Sequence, residues 1–114
     1  MQLAAIRIND TEILSLDYPR IDARSGLVLL ELVAAAVGHG ARDVVLDLGP
    51  RTTIDFSGAR ALEAATRFTA ERGTLFLAGL NGRARALLRA TRVDEHVQIV
   101  ESWSDAIEGM AQAA

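Results

Sequence analysis

The chain has 114 residues, half of them hydrophobic but only 4% aromatic, a formal net charge of −3 and no cysteine. That length fits one domain, residues 1–114, whose core must be built from Leu, Val, Ile and Ala. The absence of cysteine excludes a disulfide framework and thiolate chemistry and favours the cytosol, and the negative balance argues against a nucleic-acid footprint.

The longest near-apolar stretch, Leu27–Gly38, is interrupted by Glu31 and falls short of the roughly 20 apolar residues of a membrane span. Met1–Gln2–Leu3 carries no basic region leading into an apolar one, so no signal peptide or membrane insertion is expected and the expected location is cytoplasmic.

Leu3–Ile8 and Glu12–Leu16 read as strands, and Asn9–Asp10 between them suits the turn of an antiparallel hairpin. Tyr18–Pro19 then interrupts regular structure. Ser25 is placed to cap a helix running to about Val37, with Leu27, Leu30, Val33, Ala34 and Val37 at helical spacing and Gly38 and Gly40 ending it. A helix so apolar is expected to be largely buried, with Ala34–Ala36 allowing close approach to a sheet. Val44–Leu48 suits a central strand, and Gly49–Pro50 forces a loop.

A second helix is expected from Ser57 to Arg72, with Ala61, Leu62, Ala65 and either Phe68 or Thr69 facing inward and Gly73 stopping it. Thr74–Gly79 reads as a strand. Asn81–Gly82 opens a third helix with Ala84, Leu87, Leu88 and Thr91 on one side, and Val97–Val100 is a short strand. Ser102 or Ser104 caps a last helix from Asp105 to about Gln112 that buries Ile107 and Met110. The order β-β-α-β-α-β-α-β-α predicts an α/β fold: a mixed sheet with the N-terminal hairpin at one edge, parallel strands after it, and about four helices covering it.

Ligands of open α/β sheets gather beyond the carboxyl ends of the strands, here Leu48–Asp55 and Gly79–Gly82. Asp55 or Ser57 must sit where the second helix begins, and free N–H groups and the helix dipole there favour a negative group. A phosphorylated Ser57, with about −1.5 to −2 added charge, fits that field. The plainer reading is that Asp55 and Ser57 cap the helix.

Arg85, Arg89 and Arg92 recur at helical spacing beside Arg83 and are expected to share a face. With a net charge of −3 and Asp94, Glu95 and Glu101 nearby, they read as a solvated face or a surface for an acidic partner. His39 and His96 stand without carboxylates at ligand spacing, so no metal site is expected. Gly79–Gly82 lacks the ending of a phosphate-binding P-loop, Ser57 lacks the glycine-flanked elbow of hydrolases, and Trp103 reads as a packing residue.

Val44–Leu62 resembles the core signature of the STAS family, in which a strand ending Leu-Asp-Leu leads through a loop to Ile-Asp-Ser-Ser/Thr-Gly-Leu at a helix start. Arg72–Gly79 is similar to the family's next strand, Arg83–Asp94 to its third helix and turn, Ser104–Ile107 to the start of its last helix, and Asp22–Ala23 to the residues before its first helix. The resemblance covers about residues 12–110. It implies a mixed sheet of four or five strands, four or five helices, no enzymatic activity and no cofactor.

The resemblance further implies a regulatory, protein-binding role like that of an anti-sigma factor antagonist in a partner-switching pathway. The partner is an anti-sigma factor of serine-kinase type, to which any ATP belongs. Its contact face is formed by Thr53, Asp55, Phe56, Ser57, Gly58 and Arg60, the second helix and the Gly79–Gly82 loop. A weak homodimer is a further expected assembly. The alternative is an accessory or tail domain of an anion (sulfate) transporter or of a lipid-transport system. The chain departs from the family pattern at Phe56, where phospho-regulated members carry their serine. Three readings follow: Ser57 is the modified residue, Thr52 or Thr53 substitutes, or the domain binds constitutively.

Overall fold

The structure, a computed structural model, describes residues 2–113, with side chains to residue 109. The elements in order are β1 (Gln2–Ile8), β2 (Thr11–Leu16), β3 (Arg20–Ile21), α1 (Ala23–Gly38), β4 (Asp43–Asp47), β5 (Thr53–Ile54), α2 (Phe56–Thr69), β6 (Leu75–Ala78), α3 (Gly82–Ala90), β7 (Gln98–Val100) and α4 (Trp103–Ala113). A short 3-10 turn, Val93–Glu95, lies between α3 and β7.

The five-stranded sheet has the order β1-β2-β4-β6-β7. β1 and β2 form the expected antiparallel hairpin, closed at Asn9, whose φ is +55°. The remaining neighbours are parallel, as the helical crossovers require. Successive residues of β4 point to opposite faces, and Val44, Val45 and Leu46 are all fully buried, so this strand is covered on both sides. On one face Leu14, Leu46, Leu75 and Leu77 pack against Leu29 and Val33 of α1, Leu62 of α2 and Leu88 of α3. On the other, Ile13, Val45 and Ala78 meet Ala106 of α4. Truncating a leucine such as Leu46 or Leu77 to alanine would cost about 2–5 kcal/mol.

The structure adds two strands where the sequence reads as loop. β3 and β5 pair in parallel as a separate small sheet, through Thr53 N–H to the Pro19 carbonyl (3.0 Å) and Asp55 N–H to the Ile21 carbonyl (3.1 Å). Each strand has only two residues, too short for a periodic signal.

Several helix expectations are corrected. The cap of α1 is Asp22, not Ser25: its carboxylate accepts the N–H groups of Arg24 and Ser25, while the Ser25 hydroxyl accepts the Asp22 N–H. These bonds, the Ser25 N–H foremost, hold the Asp22 carboxyl below its ordinary range. The buried stripe of α1 is Gly26, Leu29, Val33 and Ala36, and Leu27 and Val28 are exposed, so the helix is not largely buried. Its sequence is apolar on nearly every side, and the phase of the buried face could not be read from it. Gly26 fixes that phase, because a Cβ there would lie 2.6 Å from the Ala61 Cβ of α2.

Asp55 caps α2, which ends at Thr69 rather than Arg72, with Thr69 inside and Phe68 outside. Arg92 lies beyond α3 with φ +63°, so it does not continue the face of Arg85 and Arg89. The expected acidic offsets do form, Arg85 to Glu101 at 2.9 Å and Arg92 to Glu95 at 2.6 Å. In α4 the Ser102 hydroxyl accepts the Asp105 N–H and Ile107 is partly buried; the Met110 side chain lies outside the described residues.

Candidate protein-binding site

β4 delivers the chain through Leu48 into the loop before β5. Thr52 anchors that loop: its hydroxyl is buried between the carbonyl oxygens of Leu48 (2.6 Å) and Tyr18 (2.8 Å). It is therefore a bracket, not a surface hydroxyl. Thr53 is exposed, and its hydroxyl donates to the Pro19 carbonyl at 3.1 Å. An open cleft of about 340 Å³ runs between the two segments, lined by Asp17, Tyr18, Pro19, Pro50 and Arg51 among others.

Asp55 has extended backbone, and its carboxylate accepts the Gly58 N–H at 2.8 Å, a helix N-cap. Gly58 is buried against β3; a Cβ there would overlap the Ile21 carbonyl. The same carbonyl receives the Asp55 N–H. With positions 55 and 58 held down, Phe56 and Ser57 are turned to solvent on the first turn of α2, and Phe56 is 63% exposed.

Arg60, one turn on, has its guanidinium 5.2 Å from the Phe56 ring centroid. The same guanidinium donates to the Thr91 carbonyl at the end of α3 (2.8 Å) and to Glu63 Oε1 (2.9 Å), and its Nε is buried without a partner. Glu63 Oε2 lies 3.9 Å from His96 Nε2.

Asn81 joins the second loop to the first. Its Oδ1 accepts the Ala84 N–H as the cap of α3, while its Nδ2 donates to the carbonyls of Pro50 (2.8 Å) and Thr52 (3.2 Å).

The structure thus brings Thr53, Asp55, Phe56, Ser57, Gly58 and Arg60 together at one end of α2. Thr53, Phe56 and Ser57 offer exposed side chains, Asp55 and Gly58 shape the turn, and Arg60 is half-buried and already engaged. The bridging roles of Asn81 and Thr52 were missed from sequence; only the Asn-Gly helix start was visible. At the end of β4, burial pushes the Asp47 carboxyl above its ordinary range. Among the described residues no group of three or more His, Cys, Asp or Glu could hold a metal ion, and no helix is long and apolar enough to cross a membrane.

The α/β frame displays an apolar ring, Phe56, and a hydroxyl, Ser57, at one helix start. The sequence profile of the STAS domain family matches residues 2–106, and the chain belongs to that family, whose members are non-catalytic regulatory domains. No curated protein sequence matches it.

Solved structures share the fold. An anti-sigma factor antagonist from Mycobacterium paratuberculosis is 18% identical, with a TM-score of 0.78 over 96% of this chain and 92% of that one. The anti-sigma factor antagonist SpoIIAA in its unphosphorylated form is 15% identical, with a TM-score of 0.74 over 96% of each chain. An anti-sigma-factor antagonist (STAS) domain protein from Planctomyces limnophilus is 17% identical, with a TM-score of 0.75 over 95% of this chain and 97% of that one.

Proposed function

We propose that residues 1–114 form one regulatory domain that works in the cytoplasm as an anti-sigma factor antagonist does, by docking on a protein partner of the anti-sigma, serine-kinase type. The carrying observation is Phe56, a large apolar side chain 63% exposed on a capped helix start. Exposed aromatics on a fixed frame are the usual anchors of protein interfaces. Thr53 and Ser57, exposed within three residues of it along the chain, supply polar groups for the rim.

Ser57 is the phosphorylation point within this reading. It is exposed on the first turn of α2, where backbone N–H groups lack helical acceptors and a phosphate gains from the dipole. The same phosphate, set beside Phe56, would break an apolar contact with the partner. Thr52 is an unsuitable acceptor, since its hydroxyl is buried.

The test is retention of candidate anti-sigma kinases from the same organism on the immobilised protein, with and without Phe56→Ala. Mass spectrometry of the Leu48–Arg60 peptide after incubation with kinase and ATP follows. Retention lost on Phe56→Ala, with phosphate on Ser57, supports the reading. If no such protein is retained, or the Phe56 substitution changes nothing, it fails.

A further inference from the structure

The two edges of the sheet are unlike. β7 has three residues, whereas β1 has seven, and all from Gln2 to Arg7 are exposed. An edge strand offers a row of unpaired N–H and C=O groups, and monomers shield such rows with charge, proline, bulges or short length. β1 has no proline, and its one charged side chain, Arg7, is turned along its own hairpin, with Nε 2.6 Å from Glu12 Oε1. The register shift between Gln2 and Ala4 disturbs only the start of the strand, and Ala4–Ile8 pairs regularly.

The side chains add to this. Ile6 stands opposite Ile13 of β2, so Ala4, Ile6 and Ile8 lie on the face that carries the second apolar cluster, and Ile8 packs against that cluster. The apolar layer therefore runs to the edge and stops there uncovered, with Ile6 46% exposed.

We propose that β1 pairs with β1 of a second copy of this chain, antiparallel about a two-fold axis, joining two sheets edge to edge. A second copy fits because the pairing is isologous and closes at two, whereas β1 against β7 would be open-ended and limited by the short strand. Charge also fits. With Ile6 opposite Ile6, Ala4 faces Ile8 and Arg7 faces the uncharged Ala5. Each guanidinium stays with its own Glu12, so no like charges oppose.

The test is analytical ultracentrifugation over a concentration series of the wild type, Ile6→Lys and Ile6→Thr, with circular dichroism to verify folding. Hydrogen exchange of the β1 amides is followed at low and high protein concentration. The wild-type mass is expected to rise toward a dimer, with β1 protection rising in step. Ile6→Lys should weaken association by about ten-fold or more, because two lysines then oppose, and Ile6→Thr by less. Phe56→Ala, outside this edge, leaves the dimer unchanged. A mass that stays monomeric with unprotected β1 amides, association that ignores Ile6→Lys, or growth beyond a dimer overturns the proposal.

Discussion

The guanidinium of Arg60 lies over the ring of Phe56, 5.2 Å from its centroid, and is itself held by the carbonyl of Thr91. The exposed aromatic at the start of α2 is thereby tied to the end of α3. An anchor restrained before binding loses less side-chain entropy on docking. At an exposed site the stacking itself contributes about 0.5–1 kcal/mol.

Phe56→Ala therefore separates stability from binding. Removing a 63% exposed ring should cost the fold no more than about 1 kcal/mol, chiefly the stacking on Arg60. Partner retention should fall far more. Urea midpoints and a binding titration on the same two proteins measure both.

Gly58→Ala should destabilise by about 1–3 kcal/mol, because its Cβ overlaps the Ile21 carbonyl, which is backbone and cannot swing aside. Gly82→Ala provides the contrast: at the first position of α3 nothing lies within 4 Å of a Cβ, and the change should stabilise by about 0.4–1 kcal/mol. Equal effects in denaturant titrations would contradict the close approach of α2 to β3.

Asp55→Ala should cost about 1 kcal/mol through the lost N-cap, and Asp55→Asn much less, since an amide oxygen still accepts the Gly58 N–H. Thermal melts of both variants read the difference.

Asn81→Asp is nearly isosteric and keeps the acceptor for Ala84 N–H, but removes both donors and sets carboxylate against the carbonyls of Pro50 and Thr52. A loss of about 1–3 kcal/mol is expected. Faster amide exchange in the 49–53 loop should accompany it.

Asp47 gives a pH dependence of defined sign. Burial raises its carboxyl pKa in the fold, so the folded chain holds that proton more tightly than the unfolded one. Its contribution is most favourable below the ordinary carboxylate range. It declines as pH rises from there to the raised value and is constant above it. Asp47→Asn should thus gain stability relative to the wild type as pH rises, with the difference smallest in acid. A stability difference independent of pH would mean that charge burial is not the cause.

The main sheet was legible because its signals are periodic or punctuated. Asn9–Asp10 marked the hairpin, Val44–Leu48 was apolar enough to be central, and Gly49–Pro50 closed its element, whereas the second helix ended at Thr69, before the Gly73 stop. The phase of α1 was not legible, because Leu27, Leu29, Leu30 and Leu32 look alike to any periodicity argument, and tertiary contact at Gly26 decides among them. β3 and β5 were invisible for a different reason: each is held by a partner more than 30 residues away, as in the Thr53 hydroxyl to Pro19 carbonyl bond, where the separation is 34. At the site, the Asp55 cap was a local pattern and could be read. The buried Thr52 hydroxyl, the reach of Asn81 and the stacking of Arg60 on Phe56 depend on side-chain directions that only the assembled loops define.

The small β3–β5 sheet also bears on when the site comes into existence during folding. Contacts between residues so far apart in sequence are the slow ones to form, since their loops must close before they gain anything. The Ile21 carbonyl, which receives the Asp55 N–H and lies against Gly58, can position the start of α2 only after that closure. A nascent or half-folded chain would carry the Phe56–Ser57 turn in its sequence without presenting it as a surface. Partner recognition would then report on completed folding, and an immature copy would be silent toward the partner.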